Sequence, residues 1–99
     1  MIWHIVRFEL GTYDDEVRRG FERQLEDLVG LDGVAFLRVG RDVNDPAITG
    51  LVVGLADAAA LTAYREHPDH QPVLDRIREL DIPRVALDIE SDDDPGSLA

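Results

Sequence analysis

The chain has 99 residues, with no cysteine and no lysine, and its formal net charge is −11. This length predicts one domain with a modest core. The negative charge argues against nucleic acid and anionic membrane surfaces, because both attract positive charge. The absence of cysteine excludes disulfides, thiol catalysis and thiolate metal sites. No leader and no run of ~18 apolar residues is found, so we expect a cytoplasmic protein.

A first strand is predicted over residues 2–10, because apolar residues alternate along it. One face of this strand carries Ile2, His4, Val6, Phe8 and Leu10. Trp3 and Ile5 lie on the other face. A strand with apolar residues on both faces is usually covered on both faces.

An amphipathic helix is predicted next, between acidic residues 14–16 and the glycine at position 30. Its apolar stripe contains Val17, Phe21, Leu25 and Leu28, and Arg18 is expected to lie outside that stripe. Two further strands are predicted over residues 34–39 and 48–55, with a loop over residues 40–46 between them.

A second helical region follows, with Asp57 as its predicted cap and Pro68 as its interruption. Helical spacing resumes after Pro68 and ends at Asp81. Residues 84–90 alternate as a fourth strand, with Val85, Leu87 and Ile89 on one side. Residues 91–99 form an acidic Pro/Gly segment that we expect to be disordered.

The predicted order β-α-β-β-α-β is that of a ferredoxin-like α+β fold, with a four-stranded antiparallel sheet and the helices on one face. The domain is predicted over residues 1–90, with an acidic tail over residues 91–99. The uncovered sheet face would then be apolar, and such a patch usually marks an interface. We therefore expect a symmetric homodimer through this face.

Three segments of the chain resemble the stress-responsive dimeric α/β-barrel family. They are residues 1–8 (MIWHIVRF), 39–43 (VGRDV) and 64–70 (YREHPDH). The resemblance implies a ferredoxin-like protomer that dimerises into a barrel. One branch of this family is similar to plant polyketide cyclases, which close a ring without a cofactor. The resemblance to that branch implies chemistry at Tyr64 and His70, in a pocket that His4 and His67 also line.

The residues themselves point to the same place. His67 and His70 are three apart, so a helical backbone puts them on neighbouring positions of one face, and Tyr64 can reach the same side. If the His4 face of the first strand looks toward the helices, His4 points at the second helical region. The predicted pocket then lies inside the protomer, between sheet and helices. Its expected apolar walls are Val6, Phe8, Phe21, Leu25, Val53 and Leu74.

Three functions remain open. The first is the binding of a small hydrophobic or carbonyl-bearing metabolite, with Tyr64, His67, His70 and His4 as its polar contacts. The second is cyclisation or isomerisation alpha to a carbonyl, with His70 as the base and Tyr64 as the hydrogen-bond donor. This chemistry requires no metal or organic cofactor. The third is an oligomeric, stress-related protein without a ligand.

Two alternatives concern the histidines. In a structural interpretation, His67 caps a broken helix, His4 is a hydrogen-bonded core residue and Tyr64 is packing. In a metal interpretation, the three histidines are ligands of a zinc ion. Histidines at this spacing astride a proline give poor geometry for such a site.

Overall fold

The computed structural model describes residues 1–94 and 96 of the chain, and its elements follow the predicted order. The strands are β1 (Ile2–Glu9), β2 (Val34–Arg41), β3 (Ile48–Leu55) and β4 (Arg84–Glu90). The helices are α1 (Asp15–Glu26), α2 (Ala58–Glu66) and α3 (Gln71–Leu80). Short 3₁₀ turns span Asp27–Gly30 and Pro68–His70.

The four strands form one antiparallel sheet in the order β2-β3-β1-β4, which confirms the ferredoxin-like α+β architecture. The central strand β1 pairs with β3 on one side and with β4 on the other. His4 therefore lies opposite Val53 and opposite Asp88. Residues directly opposite each other share a sheet face, so Asp88 is on the face that His4 occupies.

The core lies between this sheet face and the helices. Phe8 of β1 meets Phe21 of α1 edge to face, with their ring centroids 5.2 Å apart. Leu25 of α1 and Val53 of β3 are fully buried beside them. This packing follows the apolar stripe predicted for α1 and the alternation predicted for β1.

The prediction that Arg18 lies on the outer face of α1 is wrong. The side chain is buried, and its Nη2 donates hydrogen bonds to the Pro46 carbonyl (2.6 Å) and to Thr49 Oγ1 (3.0 Å). Thr49 Oγ1 in turn donates to Glu22 Oε2 at 2.7 Å. A long arginine can bury its stem while its head reaches polar partners, and here it ties α1 to β3 and to the preceding loop.

The interruption of the second helical region has the predicted cause. Asp57 Oδ1 accepts a hydrogen bond from the Ala60 amide at 2.8 Å and so caps α2. After α2, His67 adopts an extended backbone, and its Nδ1 accepts a hydrogen bond from the Asp69 amide at 3.0 Å. Pro68 occupies the first position of the 3₁₀ turn that follows, and α3 then ends at Asp81 in the left-handed region (φ 52°). The chain therefore changes direction between Tyr64 and His70.

The other sheet face carries an apolar surface without helices. Its residues, here called the sheet-face patch, are Trp3, Ile5, Phe36, Val52, Val85, Leu87 and Ile89, as the strand register places them. The three β4 members are 42–65% exposed. The beginning of the predicted tail contacts this patch, because Trp3 Nε1 donates to Ser91 Oγ (2.9 Å) and to Asp93 Oδ2 (3.2 Å). Disorder was predicted for residues 91–99. Of these, residues 95 and 97–99 lie outside the described residues.

Candidate functional site

A cavity of about 200 Å³ lies between the sheet and the helices. Most of its wall is apolar, contributed by Val6, Phe8, Leu25, Leu28, Leu51, Val73, Leu74, Ile77 and Ala86. Its polar lining residues are His4, Tyr64, Arg65, His70, Arg84 and Asp88. An apolar cavity of roughly 150 Å³ is large enough to hold benzene. The observed volume is therefore sufficient for a small organic molecule.

Tyr64 and His70 meet at this cavity because Pro68 bends the chain between them. Their rings are in edge-to-face contact, with centroids 4.8 Å apart. Tyr64 Oη and His70 Nδ1 are both buried and have no hydrogen-bond partner among the described residues. A buried polar atom without a partner costs about 1–3 kcal/mol. A ligand with a hydrogen-bonding group could remove that cost at both atoms.

His4 completes the polar wall from the sheet side. Its ring centroid is 5.6 Å from that of Tyr64, and its Nδ1 is 2.6 Å from Asp88 Oδ1. Arg65 Nη2 donates to the other carboxylate oxygen, Oδ2, at 2.5 Å. A carboxylate only accepts, so His4 Nδ1 carries the proton in this bond and Nε2 is left as an acceptor in the neutral ring. Asp88 thus fixes the orientation of His4 while it pairs with Arg65.

Burial is the main influence on the protonation of the Tyr64 hydroxyl and the His70 ring. Burial lowers the pKa of His70 below its usual value, and His4, the charge of Arg84 and His67 lower it further. Burial raises the pKa of the Tyr64 hydroxyl well above its usual value. Near neutral pH, His70 is therefore an uncharged imidazole that can accept a proton. Tyr64 is a protonated phenol that can donate a hydrogen bond.

The structure brings together most, but not all, of the residues expected at the pocket. His4, Tyr64 and His70 line the cavity, as do Val6, Phe8, Leu25 and Leu74. His67, Phe21 and Val53 are not among its lining residues within the described chain. The reasons are local. His67 turns its ring to the amide of Asp69. Phe21 packs behind Phe8, and Val53 is fully covered within the core.

Sequence reasoning missed three charged residues at the cavity: Arg65, Arg84 and Asp88. A signal for two of them existed. The alternation in β4 places Val85, Leu87 and Ile89 on one side, so Arg84 and Asp88 must lie on the other. Once β4 is paired with β1, that other side faces the helices. The alternation in β4 therefore indicates that the carboxylate of Asp88 lies on the His4 side of the sheet, where it contacts His4 Nδ1.

Within residues 1–94 and 96, no group of three or more histidine, aspartate or glutamate side chains is arranged to hold a metal ion. None of the helices described is long and apolar enough to cross a membrane.

The chain is similar to one protein family and to a number of solved structures. The family model of the stress responsive A/B barrel domain matches residues 2–91. No curated protein matches the chain. Solved structures do match it over nearly its whole length.

A family protein with a ferredoxin-like fold from Mesorhizobium loti is 25% identical, with a TM-score of 0.75, and the match covers 91% of this chain and 95% of that chain. A dimeric ferredoxin-like protein from Thermobifida fusca is 23% identical, with a TM-score of 0.76, and the match covers 91% of this chain and 90% of that chain. SnoaB, a cofactor-independent oxygenase from Streptomyces nogalater, is 14% identical, with a TM-score of 0.75 and 94% of each chain covered. At 23% and 14% identity, the last two matches show a shared fold alone.

Proposed function

This chain belongs to the stress responsive A/B barrel domain family, and on that premise we propose that its cavity binds a small hydrophobic or carbonyl-bearing metabolite. The apolar wall would hold the body of the ligand. Tyr64 would donate a hydrogen bond to its carbonyl oxygen. His4 and His70 would complete the polar contacts. His67 takes no part in this proposal, because its ring caps the turn that follows it.

One observation carries the proposal: of the three buried side-chain polar atoms that lack a hydrogen-bond partner among the described residues, two, Tyr64 Oη and His70 Nδ1, belong to residues that line the same cavity. Buried polar groups in folded proteins are almost always hydrogen-bonded. Ligand pockets typically combine an apolar lining with a few convergent polar groups. A purely structural role would leave both atoms unsatisfied for no compensating gain.

Calorimetric titration with methyl heptyl ketone tests the binding role. The ketone has an apolar chain and one carbonyl oxygen, so we expect saturable binding with one site per protomer. Tyr64→Phe should weaken binding by about tenfold, because one hydrogen bond in a buried site is lost. The matched control is Tyr13→Phe, since the Tyr13 hydroxyl donates to the Leu80 carbonyl outside the cavity. Absence of saturable binding to the wild-type chain would contradict the proposal.

A second candidate function is cofactor-free cyclisation or isomerisation alpha to a carbonyl. The close contact of Tyr64 with His70 favours it, because one carbonyl compound could reach both rings. His70 would take the proton from the alpha carbon, and the electron pair left on that carbon would shift onto the carbonyl oxygen. Tyr64 would then donate its hydrogen bond to the enolate oxygen, where the negative charge develops.

Exchange of the alpha protons of benzoylacetone in heavy water tests this reaction. Proton magnetic resonance would follow the exchange with and without the protein. We expect acceleration by the wild-type chain, loss of that acceleration in His70→Ala, and its retention in His67→Ala. If the wild-type rate equals that of buffer while the ketone still binds, the chain is a binding protein and the enzymatic role is excluded for this class of carbonyl.

We also propose a homodimer that forms through the sheet-face patch. The Thermobifida fusca relative is described as dimeric, which supports a dimeric state. The patch offers apolar side chains from all four strands, and exposed surfaces of this kind usually mark interfaces. Sedimentation in dilute solution tests the assembly, and the mass of one chain would contradict it.

We further propose a cytoplasmic location, which cell fractionation of the native host would test.

A further inference from the structure

The charges around the cavity differ in sign from the rest of the chain. The whole sequence carries a net charge of −11. The cavity lining contains two arginines, Arg65 and Arg84, and one carboxylate, Asp88. With the histidines neutral, the lining has a net charge of +1. A positively charged cavity in a negatively charged chain favours an anionic ligand.

The two arginines are not equivalent. Arg65 is already paired, because its Nη2 donates to Asp88 at 2.5 Å. Asp88 uses its other oxygen for His4. Arg84 has no hydrogen bond or ion pair with any side chain that the structure describes, although seven of the ten arginines of the chain form ion pairs there. Among the described residues, Arg84 is thus the arginine of the cavity lining that has no side-chain partner.

The position of Arg84 suits an anchor at the entrance. It lies on β4 opposite Phe8, whose ring is part of the apolar wall. Arg84 is exposed, whereas Tyr64 at the same cavity is 1% exposed. Arg84 also acts on the interior, since its charge contributes to the lowered pKa of His70. A molecule with its apolar body inside and an anionic end outside would match this arrangement.

We propose that the ligand is an apolar carboxylate, held through its carboxylate group by the guanidinium of Arg84. This inference rests on the ligand-binding role proposed above and names the class of ligand. A guanidinium matches a carboxylate with two parallel hydrogen bonds, and charge-assisted bonds of this kind are roughly twice as strong as neutral ones. The chain of the acid would lie against Phe8 and the neighbouring apolar wall.

A matched pair of probes separates the anchor from the cavity. Octanoate and methyl heptyl ketone share the same heptyl chain and a carbonyl, and they differ in whether that carbonyl carries an oxygen anion or a methyl group. Titration near neutral pH should show that the wild-type chain binds octanoate more tightly than the ketone. Arg84→Gln should weaken octanoate binding by about tenfold and should affect ketone binding far less, because the ketone has no carboxylate for Arg84 to hold. Arg84→Lys should recover part of the loss, because it keeps the charge without the paired donors.

Arg78→Gln is the matched control, because Arg78 lies on the exposed surface of α3, pairs with Asp75 and does not line the cavity. Binding of both probes should be unchanged in this variant. If octanoate binds no better than the ketone, or if Arg84→Gln leaves octanoate binding unchanged, the carboxylate anchor is wrong and the binding role stands. If neither probe binds the wild-type chain, the binding role itself fails and the anchor fails with it.

Discussion

At the scale of single residues, the account depends on the Tyr64 hydroxyl and the His70 Nδ1 atom, which are buried without a hydrogen-bond partner among the residues that the structure describes. Tyr64 is 1% exposed, so its hydroxyl lost water on folding, and it meets no hydrogen-bond partner in residues 1–94 or 96. Such a group destabilises the fold that contains it. A residue that costs stability and lines a cavity is expected to serve a ligand.

The two tyrosines of the chain therefore predict opposite effects on stability. Tyr64→Phe removes an unsatisfied hydroxyl and should raise the free energy of unfolding by about 1 kcal/mol. Tyr13→Phe removes a hydroxyl that donates to the Leu80 carbonyl at 2.7 Å, and should lower it by about 1 kcal/mol. Urea denaturation of both variants measures the difference. Destabilisation in both would show that the Tyr64 hydroxyl has a partner in solution.

The lowered pKa of His70 predicts how stability depends on pH. Burial is its main cause, followed by the influence of His4, Arg84 and His67. Below the unfolded value of about 6.5, the unfolded chain binds a proton that the folded chain resists. Stability should therefore rise with pH through the window just below 6.5 and become constant above it. His70→Asn should flatten this rise in urea denaturation at a series of pH values, whereas His67→Asn should keep it. A wild-type stability that is constant across the window would contradict the burial of His70.

The limits of sequence reasoning at this scale are physical. Spacing along one helical region was sufficient to associate Tyr64 with His70, because the relation is local. The role of His67 depended on which way a single ring turns after the bend, which spacing does not specify. Asp88 meets His4 across 84 residues of sequence. That contact follows from strand order, and it could have been found by combining the fold with the alternation in β4.

At the scale of elements, strands β3 and β4 have the predicted bounds, because alternation and flanking turn residues define them locally. Strand β2 continues to Arg41, two residues beyond its prediction. Arg41 is held there by contacts from elsewhere: its side chain donates to Glu22 of α1 at 2.9 and 3.2 Å. Burial alone would raise the pKa of Glu22, but the hydrogen bonds from Arg41 and Thr49 and the charges of Arg41 and Arg18 hold it below its usual value. Contacts of this kind are long-range, so local pattern does not reveal them.

Strand β3 also sets the shape of the sheet-face patch through Gly54. A Cβ at Gly54 would overlap Cε of Met1 and the ring of Phe36. Phe36 packs edge to face on Trp3, with centroids 5.2 Å apart. Gly54→Ala should therefore displace the Phe36 ring and lower the free energy of unfolding by about 1–3 kcal/mol, measured by urea denaturation. Gly40→Ala is the matched control, since a Cβ there meets nothing within 4 Å. Equal stability of the two variants would contradict the close packing at Gly54.

At the scale of the whole molecule, one sheet face builds the cavity and the other is available for assembly. The apolar residues of both faces were visible in the alternation of β1 and β4. The order of elements predicted that the helices cover one face, and it left open which face of β1 this is. The contact of Phe8 with Phe21 of α1 shows that it is the face that carries His4. The size of the cavity was beyond prediction, because it depends on how side chains from the sheet and the helices fail to fill the space between them.

Assembly through the sheet-face patch predicts a specific way to make a monomer. Leu87 is 55% exposed in the protomer, so Leu87→Asp should leave the fold intact and place an unpaired charge in the interface. Sedimentation should then give the mass of one chain where the wild type gives two. Val43→Asp is the matched control, because Val43 is 94% exposed in the loop between β2 and β3. A dimeric Leu87→Asp variant would place the interface elsewhere.

The central claim is that a small ligand occupies the cavity and contacts Tyr64 and His70. A crystal structure of the protein grown with methyl heptyl ketone tests it most directly. We predict density in the cavity with the ketone oxygen within about 2.5–3.0 Å of Tyr64 Oη, the distance of an O–H···O hydrogen bond, and with the alkyl chain against Phe8. A cavity closed by side chains, or a ketone bound only at the surface, would contradict the account and favour a structural role for Tyr64 and His70.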